Sequence, residues 1–207
     1  TVKLGFVFPG QGSQYVGMAR RPACTFPEFQ QAIEQYDAAA VDADARMGDA
    51  VYPAPAFLSE VRAAHEAVLR RTDVAQPAIG AISLGMSKLL ERFGVHASAV
   101  CGHSYGELVA LCIGGYFDEG TLQRLTRLRG RLMARDGYAR SEAEIRNPVN
   151  DAELRGPQGW DRGAMLAVRA PLGELEHLIN EAGLDVGLAN RNSPQQGVLS
   201  GTKSAIA

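Results

Sequence analysis

The segment Ala97-Ser-Ala-Val-Cys-Gly-His-Ser-Tyr-Gly-Glu107 decides the fold, because a strand of small residues runs there into a glycine-rich turn. The turn, Gly102-His-Ser-Tyr-Gly106, has the spacing G-x-S-x-G, and residues 108–116 are predicted to form the helix that follows it. This spacing is typical of a nucleophile elbow, in which a strained backbone raises the serine hydroxyl above the sheet edge. Ser104 is therefore a candidate nucleophile, and the amide of Tyr105 is a candidate oxyanion donor at the helix N-terminus. The alternative is an ordinary turn between a strand and a helix.

Strands, glycine-rich turns and helices also alternate on both sides of this elbow. Residues 3–8 form a short run of strand-forming residues that Pro9-Gly10 ends. Such alternation predicts a parallel sheet with helices on its faces, so the expected fold class is α/β with an α/β-hydrolase-like core. The helices predicted for this core lie at residues 26–40, 59–71, 76–93 and 118–135.

The C-terminal part of the chain has a different pattern. Residues 136–162 are polar, carry two prolines and are predicted to be a loop or linker. Strand, helix, strand, a turn at Asn192-Ser-Pro194, strand and the beginning of a helix follow, which is the opening of a ferredoxin-like unit inserted in the core. Only the first part of that unit is present. The predicted domains are a core at 1–135, a linker at 136–162 and an incomplete ferredoxin-like subdomain at 163–207.

Composition excludes several classes of protein. The 207 residues are 46% hydrophobic and 21% charged, which is typical of a globular chain. A net charge of −2 gives no basic surplus for nucleic-acid binding, and no apolar run reaches the roughly 18 residues of a membrane helix. The three cysteines have no metal-binding or disulfide spacing. We therefore expect a soluble, cytoplasmic protein without a metal site, a nucleic-acid partner or a membrane partner.

Further motifs occur in a fixed order along the chain. They are Phe6-Val-Phe-Pro-Gly-Gln-Gly-Ser-Gln14 with Val16-Gly-Met18, Gln76-Pro77, the elbow through Glu107, Arg129-Gly-Arg-Leu-Met133, Gly163-Ala-Met165, and Asn192-Ser-Pro194 with Ser200-Gly201. This order resembles the malonyl-CoA:acyl carrier protein transacylase family, which includes the acyltransferase domains of fatty acid and polyketide synthases. With tyrosine at position 105, the elbow resembles that of the acyltransferase domains of iterative, enediyne-type polyketide synthases.

The resemblance implies an acyltransferase that loads a malonyl-type unit from CoA onto an acyl carrier protein. The acyl group would pass through an ester on Ser104, in polyketide or fatty acid biosynthesis. No tightly bound cofactor is implied; malonyl-CoA is the substrate, and the carrier protein brings its own phosphopantetheine. The implied partners are acyl-CoA, the carrier protein domain and neighbouring domains of a multidomain synthase.

The resemblance also implies roles for single residues. Gln11 would supply a second oxyanion amide beside that of Tyr105, about 3 Å from the developing charge. Arg129 would pair with the free carboxylate of the malonyl group, because a guanidinium offers a planar fork. We expect the Tyr105 side chain to narrow the acyl pocket. The remaining substrate-binding candidates are His103, Asn190 and Asn192.

The general base is not among the four histidines in our interpretation. His103 is interpreted as a pocket-wall or structural residue, and His65 and His177 as surface or boundary residues. His96 leads into the strand before the elbow and is expected at the wrong end of the sheet for a base. In the family, the base is a histidine downstream of the Asn-Ser-Pro segment, so we expect it beyond Ala207 and expect the chain to be the N-terminal part of a transacylase domain. The choice between malonyl, methylmalonyl and other units stays open.

Two other functions share some of these features. An α/β-hydrolase such as a thioesterase or esterase also uses a G-x-S-x-G elbow, but it has no need of Arg129 or of the Pro-Gly-Gln-Gly-Ser-Gln loop. A non-catalytic relic that only docks a carrier protein is the third alternative. Ser104, Gln11 and Arg129 are all intact, which speaks against it.

Overall fold

A computed structural model of the chain describes residues 3–38, 46–134 and 163–207. The chain divides into two compact units, Thr1–Arg146 and Asn147–Ala207, and each is described here by itself. The linker predicted at 136–162 lies outside the described residues, and the three-part domain division stays a prediction. The mixture of strands and helices confirms the predicted α/β class.

The described part of the first unit holds a parallel pair of strands. Strand β1 (Gly5–Phe8) pairs with β2 (Ala99–Gly102) from Gly5 opposite Ala99 to Phe8 opposite Gly102. Parallel neighbours need a crossover connection, which the intervening helices supply. The helices of this unit are α1 (Arg20–Thr25), α2 (Pro27–Ala38), α3 (Met47–Val51), α4 (Ser59–Arg70), α5 (Thr72–Arg92), α6 (Tyr105–Ile113) and α7 (Glu119–Ala134).

Helix α5 is the centre of the first unit, because it packs against α2, α6 and α7. Its Leu84, together with Phe29 of α2 and Leu122 of α7, is fully buried. Burying a side chain of this size contributes about 1.5–3 kcal/mol to stability. Helices α2 and α5 approach closely at Gly85, where an added Cβ would lie 3.0 Å from the Cα of Phe29.

The second unit is an antiparallel sheet with two helices. It comprises β3 (Ala164–Val168), α8 (Leu172–Glu181), β4 (Val186–Ser193), β5 (Gln196–Gly201) and α9 (Lys203–Ile206). Strand β5 lies between β3 and β4 and is antiparallel to both. Leu175 of α8 and Leu199 of β5 are buried, so one face of the helix covers the sheet.

The predicted boundaries of two helices and one turn were wrong. Helix α6 begins at Tyr105 and not at 108, directly after the elbow serine. Helix α5 begins at Thr72 and not at 76. Pro77 has no N–H, but the only hydrogen bond lost is the one to a carbonyl in the first turn, so the helix tolerates it. The turn predicted at Asn192-Ser-Pro194 lies later in the chain. Ser193 still pairs with Gln196, so strand β4 includes Asn192 and the two-residue hairpin turn is Pro194 and Gln195.

The structure adds two short helices that the sequence analysis did not predict. Helices α1 and α3 have six and five residues, which is too short for a helical hydrophobic period to show. The remaining strands and helices lie at their predicted positions within a few residues. None of the helices described here has both the length and the apolar character to cross a membrane.

Candidate active site

The candidate site lies where β1 and β2 end side by side. Phe8 is opposite Gly102 in the ladder, and the His103 amide donates a 3.0 Å hydrogen bond to the Phe8 carbonyl. The loop at residues 9–14 follows β1 and touches the elbow. A Cβ added to Gly10 would lie 2.6 Å from the His103 carbonyl oxygen and 3.0 Å from the Cβ of Ser104. Only glycine at position 10 permits this approach.

Both glycines of the elbow are sterically required. A Cβ on Gly102 would overlap the backbone of Gly106, and a Cβ on Gly106 would overlap the carbonyl of Phe8. Strand β2, the turn and the first turn of α6 therefore pack backbone against backbone. This is the physical reason for a glycine on either side of the serine in this turn.

Ser104 has a strained backbone. Its φ of 54° and ψ of −116° lie far from the regions that non-glycine residues ordinarily adopt. Strain of this kind costs about 1–3 kcal/mol and persists where the surrounding packing determines it, commonly at functional sites. Ser104 is the N-cap of α6, but its side chain does not cap the helix. Its hydroxyl therefore makes no capping hydrogen bond to the α6 amides.

Two backbone amides beside Ser104 have no protein acceptor within the described residues. Tyr105 is the first residue of α6, so its N–H has no intrahelical partner, whereas the Gly106 amide bonds to the His103 carbonyl at 2.9 Å. The Gln11 amide is likewise unused, while the Gly12 amide donates to Gln14 Oε1 at 2.7 Å. Both amides are thus available to an anionic ligand.

The Gln11 side chain ties the loop at residues 9–14 to the beginning of α5. Its Oε1 accepts a 3.3 Å bond from Nε2 of Gln76, and its Nε2 donates to the Thr72 hydroxyl at 3.2 Å and to the Arg70 carbonyl at 3.4 Å. Gln76 is fully buried, and its Oε1 has no partner among the described residues. Sequence reasoning quoted Gln76 only as part of a motif and missed Thr72, which no sequence signal marks.

The structure brings Arg129 to Ser104. Nη2 of Arg129 donates to the serine Oγ at 3.3 Å, from helix α7. Nη1 of the same guanidinium is buried, and the described residues give it no hydrogen-bond partner. An unpaired buried N–H is costly, and on a cation the cost is greater. The unpaired guanidinium nitrogen therefore favours an anionic acceptor close to it.

The Tyr105 side chain does not narrow a pocket, so that expectation was wrong. Its ring is fully buried among α2, α5 and α7, and its hydroxyl is 2.8 Å from the Thr126 hydroxyl. Burial raises the Tyr105 pKa to about 12, with the Arg129 charge as a smaller opposing influence. The phenol is therefore neutral at physiological pH.

The other predicted site residues are divided between the two units. His103 is exposed, with its ring against Gly10, and the remaining histidines lie on α4, before β2 and on α8. Asn190 and Asn192 lie in β4 of the second unit. Their substrate-binding roles, and that of His103, stay predictions. Within the described ranges, no group of three or more His, Cys, Asp or Glu residues could hold a metal ion.

A strained serine between a parallel strand and a helix defines the class of α/β enzymes that carry a nucleophile elbow. Within that class the chain belongs to the family described as the acyl transferase domain, whose pattern matches residues 5–170. The resemblance predicted from the motifs is thereby confirmed.

Relatives of the chain are polyketide synthases and transacylases. The polyketide synthase GfsB of Streptomyces halstedii is 36% identical over 207 residues, which are 100% of this chain and 3% of that protein. The solved acyl transferase domain of ZmaA is 30% identical with a TM-score of 0.69, covering 99% of this chain and 41% of that one. A malonyl-transacylase solved in complex with a type II polyketide synthase acyl-carrier protein is 28% identical with a TM-score of 0.68, covering 99% and 57%. The chain thus spans a small part of its curated relative and about half of the solved domains.

Proposed function

We propose that this chain forms the nucleophile-bearing part of an acyltransferase that loads a malonyl-type unit from CoA onto an acyl carrier protein of a polyketide synthase. The observation that carries the proposal is the position of Arg129. One of its guanidinium nitrogens is 3.3 Å from the Ser104 hydroxyl, and another is buried without a partner in the described residues. A carboxylate on the acyl group would satisfy the second nitrogen while the first remains beside the reacting atoms.

In the first half-reaction, Ser104 Oγ attacks the thioester carbonyl of malonyl-CoA. The hydroxyl proton passes to a base, which the family resemblance assigns to a histidine downstream of Asn192-Ser-Pro194. The carbonyl oxygen becomes an oxyanion, and the amides of Gln11 and Tyr105 stabilise it. The C–S bond then breaks, CoA leaves as the thiol after taking the proton, and malonate remains as an ester on Ser104.

In the second half-reaction, the thiol of the carrier protein's phosphopantetheine attacks the ester carbonyl. The thiol proton passes to the base, and the same two amides hold the second oxyanion. The C–O bond to Ser104 then breaks, and Oγ takes the proton back from the base. The malonyl group is now a thioester on the carrier protein. A carrier protein partner is supported by the solved complex of a similar malonyl-transacylase with its acyl-carrier protein.

The finer architecture is part of the same proposal. The parallel β1–β2 pair and the elbow support an α/β-hydrolase-like core, and the β3-β5-β4 order with α8 supports the first part of a ferredoxin-like subdomain. We place the protein in the cytoplasm, without a tightly bound cofactor, beside other domains of a multidomain synthase. Assignment to the enediyne-type subclass rests on Tyr105 alone and stays a prediction.

Incubation of the full-length protein with radiolabelled malonyl-CoA tests the proposal. We expect stable label on Ser104, transfer of that label to a phosphopantetheinylated carrier protein, and no label on Ser104→Ala. Rapid release of free malonate would instead indicate a hydrolase. No label on the wild-type protein would indicate a carrier-docking relic, and undiminished labelling of Ser104→Ala would exclude this serine as the nucleophile.

A further inference from the structure

The hydroxyl of Tyr105 is enclosed by three helices of the first unit. Thr126 of α7 lies 2.8 Å from it, and Tyr36 of α2 lies 3.5 Å from it on another side. Gly80 of α5 leaves the space for both phenols, since a Cβ there would overlap the Tyr105 and Tyr36 oxygens. Helix α6 begins at Tyr105, so its first residue is anchored to all three neighbouring helices.

The hydrogen bonds of this cluster have a defined direction. The Thr126 hydroxyl donates its single proton to the Leu122 carbonyl, 2.7 Å away on the same helix. Tyr105 must then be the donor to the Thr126 oxygen, and Tyr36 donates over the longer distance to Tyr105. The chain of donors thus ends on the backbone of α7, which makes the Tyr105–Thr126 bond a specific link between two helices.

This link runs beside the contact that defines the candidate site. Ser104 and Tyr105 are consecutive, and Thr126 and Arg129 lie three residues apart on α7, which places them on one face of the helix. Two contacts therefore join the elbow to the same face of α7. One is the buried Tyr105–Thr126 bond of 2.8 Å, and the other is the half-buried Arg129–Ser104 contact of 3.3 Å.

We propose that the Tyr105 hydroxyl is a positioning group, whose hydrogen bond to Thr126 sets the separation between the Ser104 nucleophile and the Arg129 guanidinium. It thereby governs how well the site discriminates a carboxylated acyl group from an uncharged one. This inference deepens the proposed function and rests on it for the substrate class. Tyr105 itself touches the substrate only through its backbone amide.

The physical reason lies in the two demands made on the Arg129 guanidinium. It must meet both carboxylate oxygens in one plane while its Nη2 stays 3.3 Å from Ser104 Oγ, so its side chain has little freedom left to compensate a shift of its backbone. A shift of α7 relative to the elbow changes that distance for the malonyl carboxylate. The thioester carbonyl depends on Ser104 and the amides beside it, so an acetyl group is much less sensitive to the shift.

The test compares Tyr105→Phe and Thr126→Val with the wild-type full-length protein. Each variant removes one hydroxyl and preserves the side-chain shape. Acylation of Ser104 is measured with malonyl-CoA and acetyl-CoA as kcat and KM. We expect the malonyl-to-acetyl ratio of kcat/KM to fall roughly five- to tenfold, mainly through a higher KM for malonyl-CoA. The double variant should lose no more than either single variant, because both remove the same bond.

Two matched variants separate positioning from general stability. Thr126→Ser keeps the hydroxyl and should keep the wild-type ratio. Tyr36→Phe removes a phenol from the same buried cluster but leaves the Tyr105–Thr126 bond, and it should also keep the ratio. Equal losses for both substrates, or a ratio within twofold of wild type in Tyr105→Phe, would overturn the proposal.

A crystal structure of Tyr105→Phe tests the geometry without any catalysis. We expect the distance between Ser104 Oγ and Arg129 Nη2 to exceed 3.5 Å in the variant, and an unchanged distance would overturn the positioning role. If the wild-type protein fails to acylate Ser104, the proposed function is wrong, whereas the measured distance still decides the inference about Tyr105.

Discussion

At the scale of single residues, the contact between Ser104 and Arg129 joins the proposed nucleophile to the proposed carboxylate-binding residue. The serine is held in a strained backbone at the end of β2, and the arginine reaches it from α7 at 3.3 Å. The second guanidinium nitrogen is buried and has no partner in the described residues. Under the proposed function, the carboxylate of the acyl group would satisfy this nitrogen.

Replacing Arg129 should therefore change the choice of substrate. Truncating one partner of a buried charged pair costs about 2–5 kcal/mol, so Arg129→Ala should lower kcat/KM for malonyl-CoA roughly 30- to 5,000-fold. Acetyl-CoA has no second carboxylate and should lose nothing. Arg129→Lys should recover only part of the malonyl activity, because an ammonium lacks the planar fork. Acyl-enzyme formation with the two substrates side by side gives the measurement.

Arg124→Ala is the matched control for this prediction. Arg124 is an exposed arginine of the same helix whose Nη2 donates to the Thr121 hydroxyl. Its removal should leave the malonyl-to-acetyl ratio unchanged. An equal fall for both substrates in Arg129→Ala would assign Arg129 a structural role.

At the scale of secondary-structure elements, close helix contacts hold the elbow in place. Helix α5 lies between α2 and α7, and glycines permit the approach on both sides. A Cβ on Gly130 would lie 3.3 Å from the Cα of Asp73, so α7 and α5 meet there nearly backbone to backbone. Because Arg129 precedes Gly130, this approach also fixes the backbone from which the Arg129 side chain extends.

Gly85→Ala tests the packing of α5 against α2. The added Cβ would meet Phe29 at 2.8 Å from Cδ1 and 3.0 Å from Cα, and the Phe29 backbone cannot move without the whole helix. Overpacking of this kind costs about 1–3 kcal/mol, which exceeds the gain in helix propensity of about 1 kcal/mol. We expect a lower free energy of unfolding in urea.

Gly120→Ala supplies the comparison for Gly85→Ala. A Cβ at Gly120 of α7 would be 3.7 Å from its nearest neighbours, an ordinary contact. That variant should be as stable as wild type or up to about 1 kcal/mol more stable. Similar stability changes in the two variants would contradict the packing argument.

At the scale of the whole molecule, burial of the Tyr105 phenol links stability to pH. Its pKa is raised from 10.0 to about 12 in the folded protein, chiefly by burial. Below pH 10 the phenol is neutral in both the folded and the unfolded state, so its contribution is fully present. Between pH 10 and 12 only the unfolded state loses the proton, so the free energy of unfolding falls as pH rises.

Denaturant unfolding of wild type and Tyr105→Phe between pH 9 and 12 measures this linkage. The wild-type protein should lose about 2 kcal/mol more than Tyr105→Phe by pH 12. The Tyr105 phenol contributes to the raised pKa of Tyr36, so the same pair is also compared in a Tyr36→Phe background. The pKa of Cys112 is raised chiefly by burial, and its titration is common to the proteins compared. Parallel pH curves for the two proteins would contradict the linkage.

Local sequence was enough to predict most elements of the fold. Apolar periodicity, glycine stops and short β-rich runs predicted the longer helices and all the described strands within a few residues. Local sequence was insufficient where tertiary packing overrides local preference. Helix α6 begins at Tyr105 although glycine follows, and Gly106 is there packed against the Phe8 carbonyl of the neighbouring strand. Helices α1 and α3 are shorter than two periods of the helical pattern.

The sequence by itself determined the candidate nucleophile and the family, because the elbow and the ordered motifs are local patterns of residue type and spacing. Only the tertiary structure decided which distant side chains meet. Arg129 reaches Ser104, Gln76 meets Gln11, and Tyr105 turns inward to Thr126. These contacts depend on how closely α5, α6 and α7 pack, and that packing follows from side-chain volumes summed over three helices. No spacing along the chain encodes those distances, which is why the inward Tyr105 was mistaken for a pocket residue.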